Sequence, residues 1–219
     1  RLVMKRFALS LALSVFLAGL VLGIGSAKIV VGLSSVNVAF LPVYVTEAKG
    51  FFKDEGLDVT IADFAGGSRA LQALVGGSAD IVSGAFEHTI NMQVKGQRLR
   101  AFVLQGRAPQ IVLGINPKTM PNFKTVADLK GKKLGVTAPG SSTNVLANFV
   151  LAKVGLKPGD VAIIGVGTGS GAVAAMRSGQ IDATFITTGP ALPQVFSGTI
   201  KAYGVTSPRR MPAAPEIPT

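Results

Sequence analysis

Three short runs of small and hydroxyl residues stand where the chain passes from an apolar, strand-like stretch into an apolar, helix-like one. They are Gly66-Gly67-Ser68, Gly84-Ala85-Phe86 and Pro139-Gly140-Ser141-Ser142-Thr143. A helix start presents backbone N–H groups with no partner inside the helix, and it is the positive end of the helix dipole. Several such starts lining one cleft can hold an oxyanion without a buried Lys or Arg. The bland alternative is ordinary capping, with Ser68 and Ser142 serving only their own helices. Recurrence in both halves of the chain brings a shared cleft level with that alternative.

Two other constellations suggest different chemistry and are weaker. Gly167-Thr168-Gly169-Ser170-Gly171-Ala172 matches the glycine spacing of a dinucleotide fingerprint. Such a fingerprint needs an acidic residue about 20 positions on, at the end of the next strand. Asp182 is near that distance but opens its strand, so a glycine-rich turn is the better reading. His88 is the chain's one histidine and follows Glu87. A triad or zinc site needs histidine with placed partners, and Glu87-His88 reads better as the polar first turn of a helix. Asp80, Asp128 and Asp182 fall at element edges, where Asp suits caps and turns.

The bulk numbers set limits on the scaffold. The chain has 219 residues, 48% hydrophobic and 15% charged, with 27 Gly, 12 Pro and no Cys. That is enough apolar material for one large domain or two lobes. Without Cys there is no disulfide, thiolate metal site or lipid-anchored cysteine, and no cofactor or metal is implied. The net charge is +11. The positives are dispersed, apart from Lys130/Lys132/Lys133 and Arg98/Arg100. With no Trp and two Tyr, the basic stripe and stacking aromatics of a nucleic-acid binder are missing. An anionic small molecule suits the charge.

At the N-terminus Met4-Lys5-Arg6 precedes an apolar run, Phe7–Gly23, and Gly25-Ser26-Ala27 supplies small residues before Lys28. Basic, apolar and small-residue segments in this order read as a cleavable secretory signal over residues 1–27. An uncleaved anchor is the alternative, since the run can just span a bilayer. The mature chain is expected to be soluble and exported.

The rest alternates between two periods. Lys28–Ser34, Asp58–Phe64, Ile81–Ser83 and Leu99–Leu104 read as strands, separated by helices over Phe40–Lys49, Ser68–Val75 and Glu87–Lys95. A second series has strands at Ile111–Ile115, Lys133–Val136, Val161–Val166, Ile181–Ile186 and Ile200–Val205. Its helices are a short turn at Thr125–Gly131 and longer runs at Ser142–Val154, Gly171–Arg177 and Pro190–Phe196. The expected fold is α/β with two lobes, each a mainly parallel sheet flanked by helices. The first lobe covers residues 28–108 and the second 109–205, with the boundary near Arg107–Gln110. Residues 206–219 are expected to begin a return to the first lobe, which is then incomplete.

The order of pieces is specific. KIVVGLSSVNVAFLPVYVTEAKGFFKDEGLDVTI, VADLKGKKLGVTAPGSSTNVL and AAMRSGQIDATFI together cover about residues 28–206. This ordered set resembles the periplasmic solute-binding proteins of the nitrate/sulfonate/taurine type. The resemblance implies a non-catalytic receptor of an ATP-driven importer. It would be monomeric, would close on a small anionic or polar organic solute, and would present both lobes to a membrane permease. It also implies ligand contacts just after strand ends. On this sequence those positions are Asn37, Val38, Ser68, Ala85, Phe86, Ser141, Ser142, Thr143, Thr187 and Thr188. Phe40 and Phe86 would pack the solute's apolar part, or else belong to the core.

Two departures point to alternatives. Many relatives carry an acidic residue and Pro after the Asp-Ala strand, where this chain has Thr187-Thr188-Gly189-Pro190. The stretch from Phe185 to Thr219 resembles the binding proteins of tripartite tricarboxylate transporters, which share the architecture and take small carboxylates. A cofactor-free enzyme on the same fold, using Glu87 or His88, is the remaining alternative.

Overall fold

A computed structural model describes residues 27–106 and 110–219. The expected signal segment and most of the Arg107–Gln110 boundary lie outside the described residues. In chain order the first group of elements is β1 (Ala27–Leu33), α1 (Leu41–Ala48), α2 (Phe51–Asp54), β2 (Leu57–Asp63), α3 (Gly67–Val75), β3 (Ile81–Ser83) and α4 (Glu87–Val94). The second group is β4 (Ile111–Ile115), β5 (Lys133–Val136), α5 (Ser142–Lys153), β6 (Ala162–Gly165), α6 (Gly169–Arg177), β7 (Ala183–Thr187), α7 (Thr188–Phe196) and β8 (Lys201–Val205).

The first sheet has the order β2-β1-β3, all parallel, with Val31 of β1 level with Ile61 and Ile81. A central strand is covered on both faces, which is why β1 reads as a near-continuous apolar run. Val31, Leu33 and Val43 are its buried centre, with Ile29, Phe40, Tyr44, Val59, Ile61 and Ile81 around them.

The second sheet has the order β6-β5-β7-β4-β8. β5 runs parallel to β6 and β7, whereas β4 is antiparallel to β7 and β8. One strand in five is therefore reversed in an otherwise parallel sheet. All five residues of β4 are buried, as expected for a strand with a neighbour on each side and packed faces. The larger core cluster joins Leu113 and Ile115 of β4 to Leu134, Val136, Phe185 and α5's Ala147 and Leu151. A second cluster joins Val112, Ile186 and Val205 to Met211, Ala214 and Ile217. The Pro-rich stretch after β8 thus lies against the second sheet, and Val205 N donates to Pro218 O at 2.8 Å.

Two aspartates do the same work in the two sheets. Asp80 accepts from Val30 N through Oδ2 (2.8 Å) and donates its own N–H to Val30 O (2.9 Å). Asp182 accepts from Lys133 N through Oδ2 (2.9 Å) and donates to Lys133 O (2.8 Å). Each aspartate clamps the neighbouring parallel strand at two points, which accounts for the Gly-x-x-Asp pattern before β3 and β7. Asp182→Ala leaves the Lys133 N–H without its charged acceptor. It should lower stability by about 1.5–3 kcal/mol, the usual worth of a hydrogen bond to a charged group. Chemical denaturation of the variant beside the parent checks this. Asp128 closes a capping box with Thr125. The Thr125 and Lys124 N–H groups hold its carboxyl below the usual carboxylate range.

One expected strand does not form. Residues 97–106 have no regular structure, and Phe102, Val103 and Leu104 are 72%, 66% and 72% exposed. Among the described residues its hydrogen bond to β3 is a side-chain one, Ser83 Oγ donating to Gln105 Oε1 at 2.7 Å. A strand exists through its ladder, and among the described residues none pairs with this run, so its β-forming residues alone do not fix it.

Candidate functional site

The loops that leave the carboxyl ends of the parallel strands gather at one rim of each sheet, where ligands sit in open α/β folds. On the first sheet β1 leads to Asn37, which caps a short 3-10 turn (Val38–Phe40) by accepting from Ala39 N at 2.8 Å. β2 leads to Gly66, the N-cap of α3, with φ 156° and ψ 139° and no side-chain cap. That conformation is open to glycine alone, so Gly66 replaces Ser68 as the cap expected from sequence. Ser68 lies inside the first turn. β3 leads through Gly84 and Ala85 to Phe86, which is 65% exposed at the start of α4.

On the second sheet β5 leads to Thr137 and the Pro139–Ser141 turn. Ser141 caps α5, accepting from Asn144 N at 3.4 Å. Its hydroxyl also donates to Ala138 O at 2.7 Å and lies 2.9 Å from Thr143 Oγ1. Thr143 Oγ1 in turn accepts from Thr137 N at 2.8 Å. Both side chains are buried, at 2% and 5% exposure. Their hydroxyls hold the turn, and Ser142 is the half-buried hydroxyl at the first helical position. Thr187 ends β7 and starts α7 without a side-chain cap, and Thr188 is buried with its N–H on Gln110 O at 3.1 Å.

The two rims meet. A Cβ placed on Gly66 would lie 3.7 Å from Thr137 Cγ2, one on Gly140 4.0 Å from Ser68 Cβ, and one on Gly189 3.7 Å from Val38 Cγ1. Every pair joins the first sheet's rim to the second's, and all three lie at or beside the starts of α3, α5 and α7. Of the residues expected from sequence, Ser68 faces Gly140 of the Pro139–Thr143 run and Val38 faces Gly189. Thr187 and Thr188 adjoin Gly189. Phe40 instead packs on the first lobe's core.

Sequence reasoning passed over Thr137, and it named Gly66, Gly140 and Gly189 only within their turns, whereas the structure sets each of them facing the other lobe. His88, read from the sequence as part of a polar first turn, stands in the first turn of α4 but is buried, at 5% exposure. Burial lowers the His88 pKa, and the Glu87 carboxylate offsets part of that. Among the described residues no group of three His, Cys, Asp or Glu is placed to hold a metal, and no helix is long and apolar enough to cross a membrane. Two open depressions lie on the second lobe, one at Pro117 and Ile200 and one between α6 and α7 that reaches Gly169 and Pro190 at their starts.

The glycine-rich run has a packing explanation. A Cβ on Gly171 would lie 2.0 Å from Val166 O, and one on Gly169 2.5 Å from Pro190 Cβ. The glycines let α6 start against the end of β6 and against α7.

Two lobes of parallel-dominated α/β structure, meeting at uncapped and capped helix starts, define the solute-binding class of folds. The chain belongs to the NMT1/THI5 like family, whose model matches residues 37–198. It is 57% identical to a protein of solved structure from Bordetella bronchiseptica RB50, with a TM-score of 0.79 over 87% of this chain and 60% of that one. A protein of Brucella abortus (strain 2308), whose name gives it only a binding role, is 34% identical over 65% of this chain and 42% of its own length. The alkanesulfonate-binding protein SsuA from Xanthomonas axonopodis pv. citri, solved with MOPS, shares the fold. It has a TM-score of 0.66 at 24% identity over 83% of this chain and 62% of that one. The chain thus spans about three-fifths or less of the length of these proteins. The resemblance to nitrate/sulfonate/taurine-type binding proteins seen in the sequence holds.

Proposed function

We propose that the chain captures a small anionic or polar organic solute between its lobes and delivers it to the permease of an ATP-driven importer, without turnover. The observation that carries this is the meeting of the two rims at the starts of α3, α5 and α7. N–H groups and the positive dipole ends would stabilise a sulfonate, nitrate or carboxylate. A hinge between lobes would close on it. Ligand contacts are assigned to Asn37, Val38, Ser68, Ala85, Phe86, Ser142, Thr187 and Thr188. The N–H groups of the Ser141–Thr143 turn would face the solute while its hydroxyls hold the turn. Export by the N-terminal segment would put the protein, a monomer, in the periplasm.

Calorimetry of the full chain with methanesulfonate, nitrate and acetate tests this, together with Ser142→Asp. A carboxylate at a helix start favours the helix by about 0.3–1 kcal/mol but repels an anion seated there. The variant should melt at or above the parent temperature and bind at least about tenfold more weakly. Unchanged affinity for an anion that the parent binds would refute the helix-start reading.

A further inference from the structure

Charge is divided unequally between the lobes. Residues 28–106 carry seven Lys or Arg and seven Asp or Glu, whereas residues 110–205 carry nine and three, a surplus of six. Dispersed in sequence, the nine gather in the fold. Lys132 and Lys133 enter β5, and Lys157 lies in the turn before β6, where Gly131 N donates to Asp160 O at 2.7 Å. Lys124 and Lys130 flank the short 3-10 turn (Val126–Leu129) that leads into β5. Lys201 opens β8 level with Ile115, the last residue of β4, and Lys118 follows that strand. Lys153 and Arg177 end α5 and α6, which run back from the rim. All nine thus stand at the end of the second sheet opposite the rim where the lobes meet. Each is exposed apart from Lys132, which is half-buried.

Little at that end offsets them. The lobe's three carboxylates are drawn onto backbone. Asp128 accepts from Lys124 N and Thr125 N, Asp160 from Lys157 N, and Asp182 from Lys133 N. The carboxyl ends of α5, α6 and α7 point the same way and add about half a negative charge each. Three half-charges leave most of the surplus standing. A helix end accounts for a lysine in its last turn, as Lys153 is, but not for the lysines of the strand starts and turns.

The chemistry of the patch selects its partner. Eight of the nine are Lys, a hydrated point charge on a flexible stem, and one is the planar Arg fork that grips a single phosphate or carboxylate. Protein interfaces are depleted in Lys and enriched in Arg and aromatics. A nucleic-acid groove would need stacking aromatics along the charge. Lysines spread over a broad end suit a surface of many anionic headgroups, which they meet without a fixed pairing geometry. At the margin Phe149 and Val154 are 59% and 41% exposed, and Lys153 Nζ lies 5.3 Å from the centre of the Phe149 ring. A basic surface with exposed apolar side chains beside it has the composition of an interfacial anchor.

We propose that the lysine-rich end of the second lobe docks on an anionic phospholipid surface. Docked this way, the lobe turns its rim away from the bilayer and keeps it open. The inference does not depend on what the rim holds.

Cosedimentation of the full chain with vesicles tests it, comparing an equal mixture of phosphatidylglycerol and phosphatidylcholine with phosphatidylcholine alone. Each Lys near an anionic bilayer strengthens binding by about fivefold. Removing three together, Lys130→Gln, Lys153→Gln and Lys157→Gln, should weaken binding to the anionic vesicles by about a hundredfold. All three are exposed, in turns or at a helix end, so the variant should melt close to the parent. The matching first-lobe variant, Lys49→Gln, Lys53→Gln and Lys95→Gln, removes the same charge and should bind as the parent does. Raised salt should release the parent from the anionic vesicles. Equal binding to both vesicle types would place the contact on an apolar segment and overturn the proposal. An unweakened second-lobe variant, or equal weakening by the two triple variants, would overturn it as well. A parent that ignores the anionic vesicles also overturns it, and retention on polyglutamate would then assign the face to an acidic protein.

Discussion

Gly171→Ala should destabilise the protein by about 3 kcal/mol or more, the upper end of the usual cost of overpacking. The added methyl carbon would sit 2.0 Å from the carbonyl oxygen of Val166. Side chains can rotate away from such a contact, but this neighbour is backbone at the end of β6. Val166 is tied in turn, donating its N–H to Val136 O at 2.9 Å. Relief requires α6 to slide away from the sheet, and its buried Ala172, Ala175 and Met176 would lose their packing. For a chain of this size the expected fall in melting temperature is about 6–12 °C. Gly167→Ala is the informative comparison. Gly167 has φ +78° with nothing within 4 Å of a Cβ, so its cost is backbone strain alone, about 1–2 kcal/mol. A dinucleotide fingerprint would make both variants binding defects with little change in melting. A packing role makes Gly171→Ala the larger stability defect, by about 1–2 kcal/mol or more. Equal melting temperatures for the two variants would refute the packing account.

The same glycine run shows what a sequence discloses and what it withholds. Its position between a strand and a helix was legible, because β6 and α6 carry their own periodicities. Its purpose was not, because Val166 O and Pro190 enter through packing. Strand existence was legible throughout the second sheet. Ile111–Ile115 and Lys133–Val136 appear with the expected bounds, each a short β-branched or leucine run closed by a turn residue. Strand direction was not legible. Nothing in Ile111–Ile115 says that β4 runs against β7 and β8, since a buried strand reads the same both ways. α6 begins two residues earlier than expected, at Gly169. Glycine is a poor helix former, yet in a first turn close packing outweighs propensity.

At the site, hydroxyl-bearing helix starts were legible and their division of labour was not. Ser141 and Thr143 face inward and hold their turn, while Ser142, between them in sequence, stays half-buried. A serine pair at a helix start does not reveal which member caps. His88 was masked by its neighbour. Glu87-His88 looks like a polar first turn, and the signal for burial is faint: a lone histidine between the apolar Phe86 and Ile90. The failed strand at Leu99–Leu104 has the opposite lesson, since composition suggested a ladder that needs a neighbour to exist.

Gly67→Val should weaken solute binding by about a hundredfold or more while leaving a folded protein. Gly67 sits at the first position of α3 with an ordinary negative φ region, so a side chain is conformationally permitted there. Its Cβ would approach His88 Nε2 to 3.1 Å, a contact the ring can relieve by moving a few tenths of an ångström. The methyl groups beyond Cβ then occupy the space in front of the helix start. The N–H groups of Gly67 and Ser68 lose their access to solute, and a donor left unpaired in a closed cleft costs about 1–3 kcal/mol. Two such losses come to about 2–6 kcal/mol, a range centred above the roughly 2.7 kcal/mol that a factor of a hundred corresponds to. A β-branched residue in a first helical turn costs a few tenths of a kcal/mol, so melting should move by only a degree or two. Calorimetry with the anion that the parent binds best, and a thermal melt of the same sample, decide the matter. Unchanged affinity in a folded Gly67→Val chain would place the solute elsewhere between the lobes, away from α3.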